Sequence, residues 1–234
     1  MSRSVLVTGG NRGIGLAIAQ AFAAQGDRVA VTHHTSAAPE GFLAVRCDVT
    51  DPAQVDAAFA AVEAEQGPVE VLVSNAGITE DTLLLRMSEE QFTGVIDANL
   101  TAAYRVAKRA APKMLRARSG RMIFISSVVG LTGSAGQVNY AAAKSGLVGL
   151  ARSIARELGS RGITANVVAP GFVQTGMTEV LSDDRKKEIL GQVPLGRYGS
   201  VEEIAGAVTF LAGPAGAYIT GAILPVDGGL GMGH

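Results

Sequence analysis

Val5-Leu6-Val7-Thr8-Gly9-Gly10-Asn11-Arg12-Gly13-Ile14-Gly15 decides the fold. A short apolar, β-rich run passes through a glycine-rich turn into the start of a helical segment. Free backbone N–H groups and the positive end of a helix dipole therefore converge where an anion such as a pyrophosphate fits. The glycines fall as Gly9-x-x-x-Gly13-x-Gly15 rather than the strict G-x-G-x-x-G, and tight βα turns also take glycine for steric reasons alone. Outward from this loop the alternation repeats. Ser4 to Thr8, Arg28 to Thr32, Leu43 to Cys47, Val69 to Ser74, Arg121 to Ser126, Ile163 to Val168 and Ala222 to Val226 read as seven strands. Most are continuous apolar runs, the pattern of strands covered on both faces. Between them lie helical segments near Gly13 to Gln25, Pro52 to Gln66, Glu89 to Ala98, Leu100 to Ala117, Val138 to Leu158 and Val201 to Ala212. The reading is one α/β domain over 1–234, a doubly wound parallel sheet of seven strands with helices on both faces and right-handed crossovers. The long irregular piece from Gly171 to Gly199 follows the sixth strand, where open α/β sheets hold their ligand loops, and reads as a substrate lid.

Composition narrows the function. The chain has 234 residues, of which 47% are hydrophobic, yet no apolar run approaches the length of a membrane span. Twenty Lys and Arg against 21 Asp and Glu leave a net charge of −1, without the basic excess that nucleic acid binding demands. One cysteine, Cys47, forms no internal disulfide, and His33, His34 and His234 stand in no metal-ligand spacing. The N-terminus, MSRSVLVTGG, shows no export signal. These features point to a cytoplasmic protein without a metal.

The glycine loop has company. Asp48 and Val49 follow the third strand, where a carboxylate can accept from an adenine amino group, and Asn75-Ala76-Gly77 follows the fourth, where small residues admit a flat ring system. Together they outline a dinucleotide site of the Rossmann-like kind. The end of the second strand selects between coenzymes, since an acid there would bind the ribose diol and repel a 2′-phosphate. Thr32-His33-His34-Thr35-Ser36 offers no acid, whereas Arg12 and His34 could converge on a phosphate. NADP(H) is the expected coenzyme, with solvated loop histidines as the alternative reading.

Two Tyr-x-x-x-Lys pairs occur, Tyr104 with Lys108 and Tyr140 with Lys144, and this spacing puts both side chains on one helix face. Tyr104 sits mid-helix with no polar partner at a strand end and reads as a packing tyrosine. Tyr140 follows by thirteen residues Ser127, at the end of the strand Arg121 to Ser126. A strand's carboxyl edge and the next helix can then bring a hydroxyl and a phenol into one crevice.

Thr8-Gly9-x-x-x-Gly13-x-Gly15, Asn75-Ala76-Gly77, Asn99, Ser127, Tyr140-x-x-x-Lys144 and Pro170-Gly171 resemble the short-chain dehydrogenase/reductase family in order and spacing over essentially the whole chain. Within it the chain looks most like the bacterial β-ketoacyl-acyl-carrier-protein reductases, especially actinobacterial ones, whose chains end similarly to Pro225 to His234 here. The resemblance implies NADPH-dependent reduction of 3-oxoacyl thioesters on acyl carrier protein in fatty acid synthesis. It implies catalytic roles for Asn99, Ser127, Tyr140 and Lys144. It also implies coenzyme contacts from Gly9, Asn11, Arg12, Gly13, Ile14, Gly15, His34, Asp48, Val49, Asn75, Ala76, Gly77, Tyr140, Lys144, Pro170, Gly171, Val173 and Thr175.

The chemistry asks for these residue types. Hydride delivery to a ketone builds an alkoxide, so donors must face the oxygen and an acid must supply a proton; Ser127 and Tyr140 can do both. A Lys144 ammonium about 4 Å from the phenol would lower its pKa by roughly three units, toward physiological pH. The resemblance gives Lys144 the nicotinamide ribose hydroxyls and gives Asn99 a proton-carrying water, while Asn99 also reads as a helix N-cap ahead of Leu100. Ser126 should point to the opposite face from Ser127 and is left out of the site.

In the lid, Val173, Met177, Val180 and Leu181 either line an acyl channel or pack on the sheet. The resemblance carries carrier-protein docking to Arg118 and Arg161, which also read as ordinary solvated arginines. It further implies a homotetramer built through Leu100 to Ala117, Val138 to Leu158 and the C-terminal segment. Two rival readings accompany this one: the same chemistry on acetoacetyl-CoA or a polyketide ketone, and an NADP-binding sensor without catalysis.

Overall fold

The structure is a computed structural model that describes residues 2–174 and 189–232. β1 (Ser4–Val7) lies inside a seven-stranded parallel sheet, flanked by β2 (Arg28–His33) and β4 (Val71–Ser74). With β3 (Leu43–Arg46), β5 (Gly120–Ile125), β6 (Ile163–Pro170) and β7 (Ile223–Val226) the order is β3-β2-β1-β4-β5-β6-β7. The chain winds outward to β3 and returns beyond β1, so a crevice opens at the carboxyl ends of β1 and β4, where such sheets bind ligands.

Side-chain alternation explains why the strands read as unbroken apolar runs. Leu6, Ala30, Leu72, Phe124 and Ala165 face one way, into a core closed by α2 (Pro52–Gln66), α4 (Ala102–Ala117) and α6 (Val138–Leu158). Val5, Val7, Val31, Val73 and Ile123 face the other, against α1 (Gly13–Ala24) and α7 (Val201–Ala212). Both sheet faces are thus buried, which is the physical condition for an all-parallel sheet.

Helix starts follow local chemistry. Asp51 caps α2 by accepting from Ala53 N and Gln54 N, with Pro52 in the first turn. Ser88 with Gln91 and Ser200 with Glu203 form capping boxes on α3 (Glu89–Ile96) and α7. α1 differs: Arg12 occupies its N-cap position without a side-chain cap, which leaves the first helical N–H groups to an outside acceptor.

The expected break at Asn99 does not occur. α3 runs through a π turn, Asp97–Thr101, directly into α4, and Asn99 lies inside that turn. Its Nδ2 donates to Val95 O at 2.9 Å, four residues back, and to Ile78 O at 2.9 Å. A side chain that competes for the helical carbonyls widens the turn instead of capping a new helix. Smaller differences are a β6 that extends to Pro170, because β7 pairs with it as far as Val226, and a one-turn α5 (Val129–Thr132), too short to show periodicity.

Of the lid, Val173 is buried and bridges Gly199, while Thr175, Met177, Val180 and Leu181 lie outside the described residues. His234 lies outside them too. Among the described residues no helix is long and apolar enough to cross a membrane, and no three His, Cys, Asp or Glu side chains gather as metal ligands do.

Candidate active site

The glycine loop is braced from both neighbouring strands. Thr8 Oγ1 accepts from Asn75 N at 3.0 Å and Ala76 N at 3.1 Å, and Asn75 Nδ2 donates to Thr8 O and Gly9 O, both at 3.0 Å. Thr32 Oγ1 accepts from Gly9 N at 3.1 Å. Asn75 therefore holds the loop after β1 in shape, a role beyond leaving room for a ring. A Cβ at Gly15 would collide with Gly9 O, so only glycine lets α1 begin this close to the loop.

The rest of the cradle is partly engaged. Asn11 Nδ2 donates to Ala37 O at 3.4 Å, and Arg12 is exposed at the mouth of the loop. His34 Nε2 lies 3.7 Å from Asp48 Oδ2, an arrangement the sequence reading did not contain. The Asp48 carboxylate also accepts from Thr50 Oγ1 and Thr50 N, and these bonds hold its pKa below the usual value. Val49 packs on the core beside Cys47, whose thiol burial pushes up to about 11. Across the crevice Pro170 ends β6 and Gly171 N donates to Val226 O at 3.0 Å.

Asn99, Gly77 and Lys144 meet at one point. A Cβ on Gly77 would collide with Asn99 Oδ1 and come within 3.5 Å of Lys144 Nζ. Asn99 is buried, and its Oδ1 has no hydrogen-bond partner among the described residues. Lys144, 4% exposed, donates from Nζ to Ile125 O at 2.9 Å, and burial lowers its pKa from 10.5 to about 8.

Tyr140 stands one turn before Lys144 on α6, partly buried, and the hydroxyl of Ser127, two residues past the end of β5, is the neighbouring side chain that lowers the pKa of its phenol. The expected acidic phenol is corrected here. Burial drives the Tyr140 pKa up to about 12; the Ser127 hydroxyl pulls it down only in part, and the Asp81 carboxylate adds to the rise. Lys144 Nζ lies 5.5 Å from the Tyr140 ring centroid and spends a hydrogen bond on a backbone carbonyl. Desolvation therefore outweighs the one stabilising neighbour of the phenolate, the Ser127 hydroxyl.

Two residues the sequence reading passed over support this pair. Ser126, buried and turned away from the crevice as alternation requires, donates its hydroxyl to Lys144 O at 2.8 Å. Asn139, fully buried, accepts from Tyr140 N at 2.8 Å. Neither stands in a motif; a small polar residue flanking an apolar run was their only signal. The rival Tyr104 differs from the packing tyrosine expected: it is 47% exposed on the outer side of α4, with Lys108 Nζ 5.7 Å from its ring centroid.

A family model described as enoyl-(acyl carrier protein) reductase matches residues 9–231, nearly the whole chain. The chain belongs to the short-chain dehydrogenase/reductase family. Among its relatives, 3-oxoacyl-[acyl-carrier-protein] reductase MabA of Mycobacterium avium is 59% identical over 234 residues, 100% of this chain and 92% of the relative. MabA of Mycobacterium tuberculosis is also 59% identical, with 95% of the relative covered. 3-oxoacyl-[acyl-carrier-protein] reductase FabG of Escherichia coli is 49% identical over 97% of this chain and 96% of the relative.

As a short-chain dehydrogenase/reductase the chain is an oxidoreductase that uses a nicotinamide coenzyme. The residues present fit one. The uncapped start of α1 offers N–H donors to a pyrophosphate, and the crevice between β1 and β4 leads from it to Lys144 and Tyr140. Arg118 and Arg161 are placed elsewhere in this short-chain dehydrogenase/reductase. Arg118 follows α4 in the left-handed conformation (φ 52°), Arg161 lies in the turn before β6, and a Cβ at the adjacent Gly162 would reach Arg118 O. Both are exposed at the amino edge of the sheet, roughly 20 Å of strand from Ser127 at its carboxyl edge.

Proposed function

We propose that this chain reduces 3-oxoacyl-[acyl-carrier-protein] to the 3-hydroxyacyl form with NADPH, as one domain working in the cytoplasm as a homotetramer. The observation that carries the reading is the convergence of two hydroxyls, Ser127 and Tyr140, beside a buried lysine, in a chain 59% identical throughout to proteins named for that reaction. The coenzyme, when bound, supplies the hydride.

This chain's own residues do the rest. Ser127 and Tyr140 donate to the substrate's keto oxygen and hold it while negative charge grows there. Tyr140, whose pKa of about 12 keeps it protonated at any ordinary assay pH, gives its proton to that oxygen. The Lys144 ammonium stabilises the phenolate left behind, and Asn99 Oδ1, buried and unpartnered, offers an acceptor for the water that returns a proton. Arg12, exposed where the loop opens, meets the 2′-phosphate, with His34 close by and paired to Asp48. Arg118 and Arg161 meet the acidic carrier protein, and the exposed Tyr104 and Val138 on α4 and α6 are covered in the tetramer.

The description of the matching family supports a second reading, reduction of an enoyl thioester. Paired hydroxyl donors suit a ketone oxygen better than a carbon–carbon double bond. Steady-state NADPH oxidation with acetoacetyl-carrier protein, acetoacetyl-CoA and crotonyl-carrier protein separates the readings. The proposal expects turnover with both keto substrates, a lower KM for the carrier-bound one, and none with the enoyl substrate. Turnover of crotonyl thioester alone overturns it. Equal KM values for carrier and CoA favour another ketone as the physiological substrate, and coenzyme binding without any turnover favours the sensor reading.

A further inference from the structure

Tyr140 is the third residue of a helix that begins without a conventional cap. Gln137, at the N-cap position of α6, makes no side-chain capping bond, and the first intrahelical bond is Ala141 N to Gln137 O at 2.7 Å. The Tyr140 N–H precedes that bond and would be orphaned. Asn139 Oδ1 takes it at 2.8 Å. The other end of the same amide donates to Glu80 O at 3.0 Å and Gln91 O at 3.3 Å, so a side chain with zero exposure uses its acceptor and both its donors.

The segment that Asn139 grips is also held by Asn99. Asn99 Nδ2 donates to Ile78 O, two residues before the carbonyl that Asn139 binds. Further bonds fasten the strap on the Tyr140 side: Gln137 Nε2 to Asp81 Oδ2 at 2.9 Å and Thr82 N to Gly136 O at 2.8 Å. Two candidate site residues on separate elements are thus tied to one strap, Asn99 directly and Tyr140 through its neighbour.

We infer that Asn139 is a positioning residue, whose three hydrogen bonds fix the Tyr140 phenol relative to the strap between Ile78 and Asp81 and so to Asn99. The inference rests on the reading of Tyr140 as the proton donor. A buried amide with every group satisfied is rigid, and loss of the strap bonds frees the first turn of α6. A shift of about 1 Å at a reacting group can cost on the order of 100-fold in rate. The glycine loop takes no bond from Asn139, so coenzyme binding is spared.

The test is a double-mutant cycle on the full chain with Asn139→Ala, Tyr140→Phe and the pair, read by kcat with acetoacetyl-carrier protein and by the coenzyme Kd. Asn139→Ala should lower kcat by about 10- to 100-fold and change Kd by less than about two-fold. In the Tyr140→Phe background it should add almost nothing, because its effect passes through the phenol. A kcat within about two-fold of wild type, or the same loss in both backgrounds, overturns the inference while leaving Tyr140 as the donor. Full activity in Tyr140→Phe alone instead overturns the reading beneath it. If Asn139→Ala does not fold, Asn139→Ser, which keeps an oxygen for Tyr140 N but reaches neither carbonyl, is put through the same cycle with the same two decisive outcomes.

Discussion

Lys144 shows how burial sets the working range of the site. In the unfolded chain it keeps its proton to about 10.5, in the fold only to about 8, so between those values the unfolded state binds more protons and stability rises with pH. Below pH 8 the buried charge costs on the order of 3 kcal/mol. Lys144→Met should therefore resist urea better than wild type at pH 7, with the advantage shrinking by pH 10; an advantage independent of pH would contradict the assignment. For catalysis the same shift predicts that kcat/KM for reduction holds up to about pH 8 and falls above it, since the phenol of Tyr140, at about 12, does not titrate there. A profile flat to pH 10 would remove the lysine from the mechanism. At the other end of the crevice, Arg12→Ala should weaken NADPH by about 10-fold and leave NADH nearly unchanged, measured as coenzyme fluorescence titrations. Equal losses would refute the 2′-phosphate contact. The identities of these residues were legible in the sequence because spacing places Tyr140 and Lys144 on one face. The direction of the Tyr140 shift was not, because it depends on burial of the phenol and on Ser127 and Asp81, which lie 13 and 59 residues away along the chain.

Ser127 follows two residues after β5, while Tyr140 and Lys144 ride on α6, so the relative placement of these two elements governs the chemistry. β5 grips α6 twice: Ile125 O accepts from Lys144 Nζ, and the Ser126 hydroxyl donates to Lys144 O, a carbonyl already inside the helix. Ser126→Ala should lower stability by about 1 kcal/mol and kcat by about 5-fold, and Ser126→Thr should restore both; an unchanged kcat in the alanine variant would show that β5 and α6 hold register without it. Strand alternation correctly turned Ser126 away from the crevice, yet that face is where α6 lies, which alternation cannot reveal. The seven strands and six main helices were readable because apolar runs of four to eight residues, caps and glycine turns agree locally. Asn99 was misread as a cap for the opposite reason. An asparagine before a helical pattern favours a cap on local grounds, and only the carbonyl of Ile78, 21 residues away, makes a π turn the better arrangement.

At the scale of the whole molecule, the parallel sheet separates two functions along the strand axis. Candidate reacting groups gather at the carboxyl edge, and the exposed arginines Arg118 and Arg161 stand together at the amino edge. Arg118→Glu combined with Arg161→Glu should raise KM for acetoacetyl-carrier protein by about 10-fold and leave acetoacetyl-CoA unaffected, because charge reversal acts on the acidic partner alone. A parallel loss with CoA would place those arginines in the fold rather than at a docking face. This arrangement was half legible: sequence order put each arginine just ahead of a strand, but their adjacency depends on β5 pairing with β6. The central claim is that the Tyr140 phenol gives its proton to the carbonyl being reduced. It is tested most directly by following NADPH oxidation with acetoacetyl-carrier protein for wild type and Tyr140→Phe, alongside NADPH binding. A fall in kcat of about 10²- to 10⁴-fold with coenzyme affinity nearly unchanged is the predicted result; a phenylalanine variant that turns over like wild type would contradict it.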